Sequence, residues 1–496
     1  MKTKKVLCIT IHIILGLLAI AIVPASVFLM QIPNYMTILL CAGFFLSFIF
    51  CLKIAVKKRG GRIVLAISSL FVIVVSVLGN YCNPYWNSIY FKGNVSYYSQ
   101  TADTVLTMEE AKEDLEYAMY YLDKLHPAFY GNVPSEVQER YDMVRAKLNE
   151  TDRITVCELC QDIEYIFSVL RDGHSYVKLN VEEPHYMKDI HHFREENCVL
   201  TAINGIDLEA LLKQTQDAYS YEVESWQIRR LKDDLSTMEG LQYIGFSVDE
   251  GIVYTYESEN GEREDYTYYA EDFLLYDEYM EYNRIEETQE DDEPFVYYEI
   301  DEEKSVAILT LNSCKYNDEY KACLKEMFTE MKEKQIGNVA VDLRANGGGN
   351  SLVADEFIRY LDVDTWNSGE YEWRFGWFRI PFKNTIVEND RYNDLTFDGE
   401  VYILTSANSF SSAMLFPQYV KDNNMGTLIG EAPGNTPNGY GDVAGFKLPN
   451  SQLFMQISTK EFFRVDRNNP SNLVEPDIPC ESDDAMEVLY ETIAGR

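Results

Sequence analysis

Residues 337–361, "GNVAVDLRANGGGNSLVADEFIRYL", set the fold class. A short run rich in Val and Leu ends at Leu343. Three glycines follow at 347–349, and apolar residues then recur at helical spacing from Leu352. This is a buried strand, a glycine turn and a helix, the unit of a sheet covered by helices. Glycines at such a junction let backbone N–H groups point into a cleft beside a helix N-terminus, which suits a developing anion. A plain turn fits the same letters. A phosphate cradle does not, because neither the Gly-Lys-Ser/Thr ending nor G-x-G-x-x-G is present.

The same alternation extends to both sides. "SVAILTL" (305–311) and "EVYILT" (400–405) read as strands, and 319–334 and 411–422 as helices; "TLIGEA", "VAGFKLP" and "LFMQIST" add further strands. The fold class is therefore α/β with a mainly parallel or mixed sheet. At 406–420, "SANSFSSAMLFPQYV" places a polar turn between strand and helix. A serine there could simply cap the helix. It could also be a nucleophile whose neighbouring N–H faces a tetrahedral intermediate.

Upstream, residues 105–180 carry amphipathic helical patterns, with a Thr cap and acidic first turn at "TMEE" and breaks at Pro127 and Gly173. They read as a small helical bundle. Short strands and turns fill 181–280, and the charged, apolar-poor run 281–295 reads as a linker before a catalytic-type α/β unit at 296–496. The first 82 residues contain three long apolar runs, followed by a connector at 83–104. Lys2, Lys4 and Lys5 precede the first run, and Lys53, Lys57, Lys58, Arg59 and Arg62 lie between the second and third. The positive-inside rule then places the N-terminus in the cytoplasm and everything after the third run outside. The expectation is a multi-pass cell-membrane protein with an extracytoplasmic C-terminal region.

The net charge of −37 is unevenly spread: residues 1–102 hold nine of the 43 basic residues and none of the 80 acidic ones. So acidic a remainder repels nucleic acid, which is excluded as a partner. Cys157 and Cys160 form C-x-x-C, but with Ile163, Phe167 and Leu170 they mark one helical face, so buried thiols are expected rather than a redox pair. His185, His191 and His192 lack the carboxylate spacing of a metal motif and read as loop histidines. His12 in the first apolar run reads as packing. His174, on the turn "RDGHS", could act as a general base if the fold brought it to a serine.

Taken in order, "LHPAFY", "LRDGHSYVKL", "AINGI", "VAVDLRANGGGNS", "SANSFSSAMLF", "TLIGEAPGN" and "EPDI" resemble the S41 serine peptidases, which include the C-terminal processing proteases and the tricorn core protease. The resemblance spans roughly residues 108–480. It implies a crotonase-like, ClpP-related catalytic domain, an N-terminal helical region and a PDZ-like or capping segment. It places the nucleophile on Ser411 and the oxyanion donors on the N–H groups of Ser412 and Gly348. The C-terminal processing branch uses a lysine base. Here Thr436 stands at the matching place, and Met414 replaces that branch's acidic residue. The tricorn-like branch uses a histidine, matched by His174, oriented by a carboxylate for which Asp466, then Glu461, then Glu475 are the choices. The implied activity is peptide-bond cleavage of a peptide or protein substrate, with no metal or organic cofactor. The alternative is an inactive ectodomain that keeps the fold to bind peptides or another ligand.

Overall fold

The computed structural model describes residues 2–29, 34–81, 83–85, 87–89, 96–196, 198–258, 260–284, 294–383 and 386–495. Its central sheet has six strands, in the order Val296–Asp301, Val306–Leu311, Asn338–Asp342, Glu400–Thr405, Thr427–Gly430 and Ile478–Pro479. The first two pair antiparallel and the other pairings are parallel. The sheet is thus mixed. Both its faces are buried, which explains the nearly unbroken apolar runs. Val339 and Val341 pack on one face with the helices Asp318–Lys334, Leu352–Ile358 and Ser412–Asp422. Ala340 faces the other way, toward Ala485 and Leu489 of the C-terminal helix.

Two strands expected to complete this sheet do not join it. Gly439–Lys447 and Phe454–Phe463 form an antiparallel hairpin in a second sheet. The connection at 448–453 is too short for the crossover that a parallel pairing requires. Glu370–Phe375 and Phe378–Phe382 extend that sheet on one side. Tyr176–Lys178, from the N-terminal helical region, pairs with its Phe454 end.

The helices Met108–Leu125 and Val156–Phe167 both start with complete capping boxes, Thr107 with Glu110 and Thr155 with Glu158. Their buried faces share one core with Phe446, Met455 and Ile457 of the second sheet. Beyond them, Val199–Ile203, Ile206–Asp207, Ile252–Glu257 and Arg263–Tyr268 form a four-stranded antiparallel sheet. Its first turn is Asn204-Gly205, both with positive φ, as a two-residue hairpin requires. Of the expected acidic linker, residues 285–293 lie outside the described residues.

Three N-terminal helices are long and apolar enough to cross a membrane. The His12 imidazole lies 2.7 Å from the Ser47 hydroxyl and 3.0 Å from that of Ser69, so one polar side chain ties all three helices together. Such interhelical bonds are a standard means of association where no water competes.

Candidate active site

Four serines crowd residues 406–412, and three are committed to holding the backbone. The Ser406 hydroxyl donates to the Arg344 carbonyl, Ser409 to Leu343 and Ser412 to Gly349. Ser411 makes no side-chain hydrogen bond among the described residues and lines a cavity of about 1000 Å³. Its backbone is at φ 59°, ψ −121°, a sharp turn that L-residues rarely adopt, and it immediately precedes helix Ser412–Asp422. The Ser411 N–H is held by the buried Asn435 side chain at 2.7 Å. A serine on a strained strand-to-helix turn presents its Oγ to the cleft, as in a nucleophile elbow.

The glycine loop is organised by Asn346. Its amide donates to the Leu311 carbonyl, its backbone carbonyl accepts from Phe410, and its Oδ1 accepts the Gly348 N–H at 2.8 Å. That last bond corrects the expectation for Gly348, whose N–H is engaged within the loop. Gly347 and Gly349 line the cavity instead. Gly348 has another task. At φ 105°, a Cβ there would lie 2.7 Å from the Ser411 Cβ and 2.6 Å from the Phe410 carbonyl. Only glycine lets the loop approach the elbow so closely. The Ser412 N–H, in the first turn of its helix, has no partner among the described residues, and Ser412 lines the same cavity.

His174 reaches this cavity from more than two hundred residues away. The antiparallel register sets Gln456 opposite Tyr176, and the Gln456 amide donates to the His174 carbonyl. The Ser175 hydroxyl accepts from the Ser458 N–H. The imidazole is buried and packs on the Phe410 ring at 4.5 Å, while Trp226 stacks on Phe410 at 4.0 Å. Neither imidazole nitrogen has a hydrogen-bond partner among the described residues.

Two carboxylates flank its Nδ1: Asp172 Oδ1 at 3.7 Å and Glu222 Oε1 at 3.9 Å. Both distances are within roughly 1 Å of a hydrogen bond. Asp172 also accepts the His174 backbone N–H and faces His126 Nε2 at 3.1 Å. His126 Nδ1 accepts from the Ala128 N–H, which leaves its proton on Nε2, aimed at Asp172. Burial pushes the Asp172 carboxyl up, but the His126 hydrogen bond and the two imidazoles outweigh it and bring it down to about 2. For Glu222 burial prevails and its carboxyl is raised, with His174 and Thr436 opposing. Thr436, at the place of the missing lysine, donates its N–H to Glu222 Oε2 at 2.6 Å. Glu222 Oε1 is left without a hydrogen-bond partner among the described residues.

Asp172, His174 and Glu222 each bring a ligand atom within 4.8 Å of the others, a spacing that could also hold a cation. The donors are largely used up, however. Both Asp172 oxygens and Glu222 Oε2 already accept hydrogen bonds, which suits the orientation of an imidazole better than coordination of an ion.

The three carboxylates expected from sequence lie elsewhere. Asp466 lines a separate cavity with Asp422 and Asp477, and its Oδ1 accepts from Asn468 N–H. Glu461 is 3.9 Å from Arg379, and Glu475 is exposed. Phe462 and Phe463 still line the His174 cavity, but the chain then turns, and the Asp466 N–H is held by Asp422 instead. Asp172 is two residues from His174 and could have been considered from sequence. Glu222, in "YSYEVESW", carries no local mark. Cys157 and Cys160 are buried free thiols, and burial pushes Cys157 up to about 12 and Cys160 well above its ordinary value. His185 is bound by Glu239 at 2.7 Å.

Residues 305–480 match the family model described as Peptidase family S41, and no curated protein matches. Mature CPAF shares the fold at a TM-score of 0.56 and 12% identity, over 78% of this chain and 96% of that one. Mature CPAF complexed with lactacystin matches at 0.56 and 11%, over 78% and 97%. The photosystem II D1 C-terminal processing protease is also similar, at a TM-score of 0.42 and 12% identity, over 77% and 97%. The matched segment, which holds the glycine loop and the serine-bearing helix, is a peptidase family S41 domain, and the protein is a serine-type peptidase.

Proposed function

We propose that this is a membrane-anchored peptidase whose active site lies outside the cytoplasm, with Ser411 as nucleophile and His174 as base. The observation that carries the reading is the shared cavity: a hydroxyl on a strained elbow and an imidazole, both without hydrogen-bond partners among the described residues, line the same space. His174 Nε2 takes the proton from Ser411 Oγ as that oxygen attacks the peptide carbonyl. The oxyanion falls to the Ser412 N–H together with an N–H of the cavity-lining glycines Gly347 and Gly349. The imidazole then returns the proton to the leaving amine, and water releases the acyl group by the same route. Glu222 and Asp172 hold the Nδ1 proton and stabilise the imidazolium. A closure of roughly 1 Å at Nδ1 brings either carboxylate within hydrogen-bond reach of the imidazole.

The anchoring half rests on the three apolar helices and the placement of Lys and Arg around them. Those cations put the N-terminus and second loop inside, and three crossings put the peptidase body outside. The test is covalent labelling of the full chain by a fluorophosphonate probe at pH 7–8. Labelling is expected to vanish in Ser411→Ala and to fall sharply in His174→Ala. Folded wild-type protein that takes no label would instead favour an ectodomain that binds without turnover.

A further inference from the structure

The second sheet ends in a hairpin that the peptidase reading does not use. Its sequence, "WRFGWFRIPFK" (373–383), holds three cations and no carboxylate in a chain of net charge −37. At the tip, Trp377 is 75% exposed and Phe378 64% exposed, unusual for large rings on an acidic protein. They are not isolated. Lys124 Nζ lies 5.6 Å from the Trp377 ring and 5.6 Å from exposed Tyr120, and Arg379 lies 5.5 Å from exposed Tyr130. Arg379 is paired with Glu372 and Lys124 with Asp123, so the patch is near neutral rather than strongly charged.

The hairpin is tied to the chain shortly after the membrane helices. The third helix ends at Tyr81, and Tyr85, fully buried, accepts a hydrogen bond from the Trp373 indole at 2.9 Å. Its ring also lies 6.0 Å from that of Phe375. Four residues span at most about 14 Å, and four more lead from Trp373 to Trp377. With the step across the Tyr85–Trp373 side-chain bond added, the tip lies within about 45 Å of the end of the last membrane helix. Buried Arg374 fastens the base of the hairpin to the helical region through the His126 and Asp123 carbonyls. The support is rigid and the tip bare.

We infer that the Trp377–Phe378 tip, with Tyr120, Tyr130 and Lys124, is a second membrane contact that inserts into the interface of the bilayer anchoring the chain. Trp and Tyr rings with interspersed cations are the side chains that settle at headgroup level. The contact rests on the membrane-anchored reading and would orient the catalytic body over the bilayer. The test uses full chain in nanodiscs of phosphatidylcholine, with or without acyl-chain bromine, and reads tryptophan emission. Bromolipid is expected to quench the wild type, and Trp377→Ser to lose at least about half of that quenching. Equal quenching in both proteins, or none in the wild type, would overturn the contact. So would Trp377→Ser turning a dimer into a monomer by mass photometry, which would assign the patch to a second copy. Release of the full chain from membranes by alkaline carbonate would defeat the anchoring reading itself, a separate outcome.

Discussion

The two halves of the candidate site are built in opposite ways. The Ser411 half is local: a glycine loop and an elbow sit on adjacent parallel strands and are stitched together by Asn346, Ser406, Ser409 and Ser412. The His174 half is remote. It depends on a three-residue strand, two side-chain bonds to the second sheet, and two carboxylates, one from its own turn and one from a further segment. The difference teaches that the first half can hold its shape without the second, whereas the base can be displaced without disturbing the nucleophile.

The strongest way to break this contrast is at the reacting atoms. Ser411→Ala and His174→Ala should each lower kcat by at least about 10⁴-fold in a peptide-hydrolysis assay. The double variant should be no worse than either, because the two act as one unit. Additive losses would separate them.

Next is Gly348→Ala, which attacks the local half through shape alone. A methyl group 2.7 Å from the Ser411 Cβ, at a positive φ, should displace the elbow. A loss of about 10²-fold in kcat together with about 1–3 kcal/mol of stability is expected. Retained activity would show that the loop can yield.

The carboxylates sharpen the remote half. Glu222→Gln should lower kcat by about 10²–10⁴-fold with little change in KM, since an amide cannot stabilise the imidazolium. Asp172→Asn should act mainly on folding. The Asp172 carboxyl is held at about 2, below its ordinary 3.8, so its contribution is full above pH 4 and disappears as pH falls toward 2. Denaturant melts should show wild type about 2 kcal/mol more stable than Asp172→Asn at pH 7, with the gap closing at pH 2. A gap that widens in acid would contradict this assignment.

The smallest effect is expected from Gln456→Ala, which removes one bond to the His174 carbonyl. About 0.5–1.5 kcal/mol of stability and a severalfold fall in kcat should follow, without change in KM. An unaltered kcat would mean that the strand pairing alone fixes the imidazole.

Much of the local half was legible in the sequence. The run "VAVDLR" could only be a buried strand, the three glycines marked a close backbone approach, and the serine-rich turn opened a helix. Which serine was left free was not legible, because capping and attack need the same residue types. The hydroxyl bonds of Ser406, Ser409 and Ser412 decide it. The strands after Gly439 read as members of the main sheet because period alone does not say which sheet a strand joins. Asp466 was placed by its position in the chain, and the turn after Phe463 carries it into another cavity.

By itself, the sequence determined the elements, the buried sheet, the three apolar helices and the glycine loop, all of which follow from spacing and side-chain type within a few turns of chain. Tertiary structure alone decided that His174 enters the Ser411 cavity, that Thr436 anchors Glu222 beside that imidazole, and that Gly348 serves as a clearance rather than as a donor. Those outcomes depend on strand register and on which hydrogen bonds a buried group has already made, and neither is encoded in any short window of residues.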